Sequence, residues 1–123
     1  MVSTVHHVSF LVRDLERSRR FYEGVMELET IPRPDLGLPG VWYRAGASEV
    51  HLIAAPAGVE VPEASLGLSP LANHSAFAIE DYEKTLAELK RKGVEVFETS
   101  AAGGQLWIRD PDGNVIEFIV ARS

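Results

Sequence analysis

The 123-residue chain contains no cysteine. That absence excludes a disulfide framework and thiol chemistry, and it suits a cytoplasmic location. No apolar run approaches the roughly 18 residues that a membrane-spanning helix needs, and no signal-peptide pattern opens at Met1, so a membrane partner is not expected. Positive charge is in short supply too. Twelve Lys and Arg stand against 18 Asp and Glu, a net charge of −6. With no basic run to offset that balance, a nucleic-acid partner is not expected. Arg17, Arg19 and Arg20 lie close together among acids and read as the solvated face of a helix rather than a phosphate tract.

What is present is an ordinary globular composition, with 46% hydrophobic and 24% charged residues. The length is that of one domain able to bury a real core. Within it the chain repeats itself. His7, Phe10, Val12 and Asp14 recur 67 residues later as His74, Phe77, Ile79 and Asp81. Each copy alternates as a half-buried strand and then meets an Asp placed to cap a helix. Internal repetition outranks local propensity as a fold signal.

Taken in order, Val5 to Val12 reads as a strand with His7, Ser9 and Leu11 on one face and Val8, Phe10 and Val12 on the other. His6 falls on the helix-facing side and is given no role. Asp14 caps a helix carrying Leu15, Phe21, Tyr22, Val25 and Met26, which ends between Gly24 and Glu27. Leu28 to Ile31 is a short strand, and Pro32, Pro34, Gly37, Pro39 and Gly40 mark a stiff loop. Val41 to Ala45 and Glu49 to Ala54 form a hairpin. Residues 56–72, with three prolines and two glycines, read as a linker.

The pattern β-α-β-β-β then returns. It consists of the His74 strand, a helix from Tyr82 stopping at Gly93, strands Val94 to Thr99 and Gln105 to Arg109, an Asp110-Pro111-Asp112-Gly113 turn, and a last strand Asn114 to Val120. The expected organisation is one α+β domain over 1–123. Module 1 spans 4–55, the linker 56–72 and module 2 73–121.

The repeat also aligns chemistry. His51 answers to Glu117 at an offset of 66, and Trp42 to Trp107 at 65. His7, His51, His74 and Glu117 each sit opposite a bulky apolar stripe. If two such sheets curve about a pseudo-twofold axis, three imidazoles and one carboxylate converge. That donor set suits Zn, Ni, Co, Mn or Fe as a divalent ion and suits Ca poorly. Glu117 lies among Val115, Ile116, Phe118 and Ile119, where a carboxylate is costly to bury without a positive partner. Ser9, Trp42 and Trp107 fall on the same face by parity and are expected to line a substrate pocket. Tyr43 has the opposite parity and is expected to pack.

These segments resemble the vicinal oxygen chelate superfamily, the glyoxalase, bleomycin-resistance and dioxygenase group. The resemblance runs through His7-Val8-Ser9-Phe10-Leu11-Val12-Arg13-Asp14-Leu15, Ser18, Phe21-Tyr22, His51-Leu52, His74-Ser75-Ala76-Phe77 and Asp110-Pro111-Asp112-Gly113-Asn114 to Glu117. It covers nearly the whole chain. It implies two βαβββ modules forming a cupped mixed sheet around a divalent metal, with the ligands mapping to His7, His51, His74 and Glu117. In many relatives the site lies between two chains, which implies a homodimer.

Departures narrow the chemistry. Glutathione-dependent glyoxalase I enzymes carry an Arg four residues after the first ligand and an Asn four after the second. Here Leu11 and Ala55 stand there, and His51 replaces the usual Glu. Fosfomycin-modifying enzymes are similar at His7, Ser9, His74 and Glu117, but the Ala101-Ala102-Gly103-Gly104 loop lacks their cation-binding residues. Bleomycin-binding proteins usually lack the ligands retained here. Extradiol dioxygenases use three ligands, so a fourth at His51 would crowd that arrangement.

The expected function is therefore a metal-dependent, glyoxalase-like lyase or isomerase. It would act on a small substrate held through vicinal oxygens, with Glu117 as the base. The alternatives are a non-catalytic small-molecule binding or drug-resistance protein, or an extradiol-type dioxygenase.

Overall fold

Alternation of apolar and polar residues along short β-branched runs decides which segments pair and which face they bury. The computed structural model describes residues 1–63 and 66–121. Residues 64 and 65 of the expected linker lie outside that description. The chain divides into two compact units, Met1–Pro62 and Glu63–Ser123. Each holds a four-stranded mixed sheet, and the fold is α+β with two βαβββ modules.

In the first unit, β1 (His7–Val12), β2 (Glu29–Ile31), β3 (Gly40–Ala45) and β4 (Ser48–Ala54) are arranged in the order β1-β4-β3-β2. β1 runs parallel to β4, while β3 is antiparallel to both β4 and β2. The buried face carries Val12, Tyr43, Val50 and Leu52, all fully enclosed, together with Phe21 and Tyr22 from the helical segment. Burial of each such side chain contributes on the order of 1.5–3 kcal/mol. Tyr43 packs there, as its parity predicts.

The helix begins where Asp14 Oδ1 accepts the Arg17 amide at 3.1 Å. Only Leu15–Arg19 is α-helical (α1), and Arg20–Val25 widens into a π-helix. The wider turn lets sequence neighbours Phe21 and Tyr22 both face the core, with ring centroids 5.0 Å apart. Simple 3.6-residue spacing does not anticipate that. On this segment Glu23 accepts from Arg19 Nε and from the Tyr43 hydroxyl, both at 2.7 Å.

The second unit repeats the plan with β5 (His74–Ile79), α2 (Tyr82–Arg91), β6 (Phe97–Glu98), β7 (Gln105–Arg109) and β8 (Val115–Val120), ordered β5-β8-β7-β6. Asp81 Oδ1 accepts the Lys84 amide at 2.9 Å. Tyr82, Leu86 and Leu89 of α2 are buried, as are Leu106, Ile108, Ile116 and Phe118 of the sheet. Gly93, at φ +75°, ends the helix.

The repeat holds at the level of register. Ser9 pairs with His51 as Ala76 pairs with Glu117, and Trp42 faces His51 as Trp107 faces Glu117.

Two strands differ from expectation by two residues or more at an end. β1 starts at His7 rather than Val5, because the Val5 carbonyl is taken by the Ser48 hydroxyl at 2.8 Å. His6 consequently lies outside the strand, exposed, with its ring against His7 instead of toward the helix. β6 is two residues long, because the Val94 amide bonds back to the Leu89 carbonyl and belongs to the helix end.

Candidate functional site

In the second unit, the face opposite the apolar core carries His74, Glu117, Gln105 and Trp107. β5 and β8 pair in parallel, so His74 and Glu117 project from neighbouring strands to the same side. His74 Nε2 stands 3.1 Å from Glu117 Oε1. The other ring nitrogen, Nδ1, lies 2.7 Å from the Ala72 carbonyl. A carbonyl can only accept, so Nδ1 carries a proton, and in the neutral imidazole Nε2 presents its lone pair to the carboxylate. Two acceptors facing each other at this distance need a positive charge between them, either a proton or a metal ion.

Donor atoms 3.1 Å apart also suit adjacent ligands on one ion, whose bonds are about 2.0–2.2 Å. The second carboxylate oxygen, Oε2, accepts from Gln105 Nε2 at 2.9 Å. Glu117 is 5% exposed, so its orientation is fixed on both oxygens. Such outer partners orient metal-binding groups.

Trp107 sits directly across from Glu117 on β7 and meets the His74 ring edge to face, centroids 4.6 Å apart. It is 4% exposed, and its buried indole N–H has no hydrogen-bond partner among the described residues. A buried donor left unpaired is costly, which marks it as a group awaiting an acceptor.

In the first unit, His51 lies between two rings. Trp42 stacks on one face at 4.2 Å and His7 on the other at 4.0 Å. His51 Nε2 lies 2.8 Å from Glu49 Oε1, which must accept, so Nδ1 is the side with the free lone pair. His7 is exposed, and its Nδ1 is 2.9 Å from Nδ1 of His6. Lost hydration, then the neighbouring His51 and His6, hold the His7 pKa below its ordinary value, opposed by Glu49. Ser9 is exposed and pairs with His51 across the strands.

The four predicted ligands therefore come together as two pairs, one pair in each unit. Among the described residues, neither unit by itself gathers three His, Asp or Glu within reach of one ion. Two site-face residues escaped the sequence reading, Glu49 and Gln105. Parity was the available signal, since each lies two positions from a residue singled out on its own strand.

A family model described as the Glyoxalase/Bleomycin resistance protein/Dioxygenase superfamily matches residues 4–118. The chain belongs to this superfamily.

Within the superfamily, the chain is 30% identical over 123 residues to Glyoxylase I 4 of Arabidopsis thaliana, covering 95% of this chain and 70% of that protein. It is 26% identical over 106 residues to the mitochondrial methylmalonyl-CoA epimerase of Bos taurus, covering 81% of this chain and 60% of the epimerase. A crystal structure of a glyoxalase family protein from Bacillus anthracis matches with a TM-score of 0.80 and 25% identity, covering 99% and 98% of the two chains. The fosfomycin resistance protein FosX of Listeria monocytogenes shares the fold at a TM-score of 0.74 and 17% identity, covering 99% of this chain and 95% of that one. A mutant form of it was crystallised with Mn(II) and 1S,2S-dihydroxypropylphosphonic acid. Metal binding is thus found on this fold. Among the described residues, no helix is long and apolar enough to cross a membrane.

Proposed function

We propose that this protein is a divalent-metal-dependent, glyoxalase-like lyase or isomerase that acts on a small substrate held through two neighbouring oxygens. His7, His51, His74 and Glu117 are the proposed ligands of the ion, and Zn, Ni, Co, Mn and Fe all suit them. The observation that carries the reading is the His74–Glu117 pair, two acceptors 3.1 Å apart on one sheet face. The absence of cysteine favours a cytoplasmic setting for this chemistry.

A bound divalent ion would supply Lewis-acid charge, acidifying a C–H beside the held oxygens. The chain's own residues do the rest. Glu117 Oε1 receives the proton, and Gln105 keeps the carboxylate aimed by holding Oε2. The Ala72 carbonyl fixes the His74 tautomer. The Trp107 N–H donates to a substrate oxygen and so gains the partner it lacks. Trp42 and Ser9 line the corresponding face of the first unit.

A second reading is a small-molecule binding protein without turnover. It is favoured by the Trp42–His51–His7 stack, which offers a flat platform for a planar ligand.

One experiment separates the two. The purified protein is analysed for metal and then screened, with and without chelator, against thiol-hemiacetals, epoxides, catechols and 2-substituted acyl thioesters. Turnover that disappears with chelator, together with metal loss in His74→Ala and Glu117→Ala, supports the enzyme. Ligand binding that is equal in metal-free protein, with no turnover, supports the binding protein. Unchanged metal content in both variants would sink the site.

A further inference from the structure

His6 and His7 are consecutive, yet their rings meet. The two Nδ1 atoms stand 2.9 Å apart, with the ring planes crossed at 85°. A neutral imidazole has two nitrogens and one proton, so one of these Nδ1 atoms donates and the other accepts. The backbone on either side of the pair is tied down. The His6 carbonyl accepts the Glu49 amide at 3.0 Å, and the Val5 carbonyl accepts the Ser48 hydroxyl at 2.8 Å. The segment ahead of β1 is thus laid against the start of β4, and a tethered backbone presents His6 to His7.

The internal repeat shows what His6 replaces. The offset of 67 that carries His7 onto His74 also carries Val5 onto Ala72. In the second unit the Ala72 carbonyl takes Nδ1 of His74 at 2.7 Å, and Nε2 turns to Glu117. In the first unit the equivalent carbonyl, that of Val5, accepts from Ser48 instead. An imidazole nitrogen meets His7 where a backbone oxygen meets His74. A metal-bound imidazole commonly donates its outer N–H to a protein acceptor, which fixes the tautomer and aims the ring. His74 and His51 each have such a partner, in Ala72 and Glu49.

We propose that His6 is the positioning residue of His7: its Nδ1 accepts a hydrogen bond from the Nδ1–H of His7 and leaves His7 Nε2 open for the ion. This deepens the functional reading above and rests on its assignment of His7 as a ligand. His6 acts as a neutral ring whose own proton sits on Nε2, and as an exposed residue it can give that proton's bond to water. Each imidazole of the ligand set then keeps one nitrogen for the protein and one for the metal. The His51 ring, stacked at 4.0 Å, fixes the plane of His7, and His6 fixes which edge of that ring faces the protein.

The test uses the full chain, ¹⁵N-labelled, first after chelator treatment and then with Zn²⁺ added. Histidine ring nitrogens are followed by long-range ¹H–¹⁵N NMR above the ordinary imidazole pKa, where the rings are neutral, and His7→Gln identifies the His7 signals. In metal-free wild type, His7 is expected to carry its proton on Nδ1. In His6→Ala the Nε2–H tautomer of His7 should appear. His6→Asn should restore Nδ1–H, because its side-chain oxygen lies as many bonds from Cα as the lost nitrogen. Competition titration should show Zn²⁺ affinity weakened about 10–100-fold in His6→Ala and recovered in His6→Asn. The His74 ring signals should stay unchanged in both variants.

A His7 Nδ1 without its proton in metal-free wild type would overturn the assignment, as would a tautomer or a Zn²⁺ affinity left unchanged by His6→Ala. A Zn²⁺-coordination shift at a His6 nitrogen would also overturn it, making His6 a ligand instead. If no imidazole responds to Zn²⁺, the metal reading fails by itself. The tautomer comparison in metal-free protein then still upholds or refutes the hold of His6 on His7.

Discussion

Trp42 and His51 lie face to face, ring centroids 4.2 Å apart and planes only 7° from parallel. Indole emission is therefore coupled to whatever His51 binds. In a Trp107→Phe background, where Trp42 is the only indole, Ni²⁺ or Co²⁺ added to chelator-treated protein should quench emission and saturate at about one ion per chain. His51→Ala should abolish the quench. Emission unmoved by an ion that demonstrably binds would remove His51 from the ligand set.

Outer partners should matter nearly as much as ligands. Gln105 holds the second oxygen of Glu117, and Glu49 holds Nε2 of His51. Gln105→Leu and Glu49→Gln should each weaken metal affinity by about 10–100-fold. The thermal midpoint of the metal-free protein should barely move. Competition titration against a chromogenic chelator gives the numbers. Wild-type affinity in either variant would show that its carboxylate or imidazole partner is aimed by something else.

Stability at low pH should depend on a cluster that includes Tyr43, on the opposite face of the first sheet from His51. Glu23 accepts from Arg19 and from Tyr43, and these bonds, Arg19 first, hold its pKa below the ordinary carboxylate value against the opposing effect of burial. A carboxylate lowered on folding contributes stability that is present above its unfolded pKa and is lost as pH falls through the folded one. Urea unfolding from pH 7 down to pH 3 should therefore show a loss that is smaller in Glu23→Gln. Tyr43 is fully buried and its phenol is pushed upward, by burial first and then by Glu23, so it stays protonated and donating. Tyr43→Phe should cost about 1–2 kcal/mol at neutral pH. An unchanged urea midpoint in Tyr43→Phe would contradict this account.

Assembly follows from exposed apolar surface and from the division of the ligands into pairs. Leu36 and Leu38 in the β2–β3 loop are 57% and 42% exposed. Covering them favours a second copy of the chain, and twofold dimers are the commonest closed assembly. A homodimer is expected by ultracentrifugation at micromolar concentration. Where His7 and His51 of one chain serve His74 and Glu117 of its partner, mixing His7→Ala with Glu117→Ala chains should restore one complete site in each mixed dimer. Metal content that does not recover on mixing would place each site within one chain, and a monomer would remove the assembly altogether.

Much of this protein was decided by sequence alone. The period-two alternation of His7 to Val12 and of His74 to Ile79, the capping Asp14 and Asp81, and the offset that drifts from 67 to 65 are local properties. They survived folding because register transmits parity directly: a residue's face on a strand does not depend on what packs against it. Hence the two βαβββ modules, the equivalence of His51 with Glu117, and the packing role of Tyr43 were all legible.

Other features waited for tertiary contacts. The π-helix at Arg20–Val25 forms because Phe21 and Tyr22 both find room in the core. The proton positions on His74 and His51 were decided by a carbonyl and a carboxylate that happen to lie within bonding distance. Gln105 aims Glu117 from a neighbouring strand. Among the described residues the buried Trp107 N–H meets no acceptor, and only the packing of the second unit reveals that. Parity says which way a side chain leaves the sheet. Hydrogen-bond satisfaction depends on what three-dimensional packing brings to meet it.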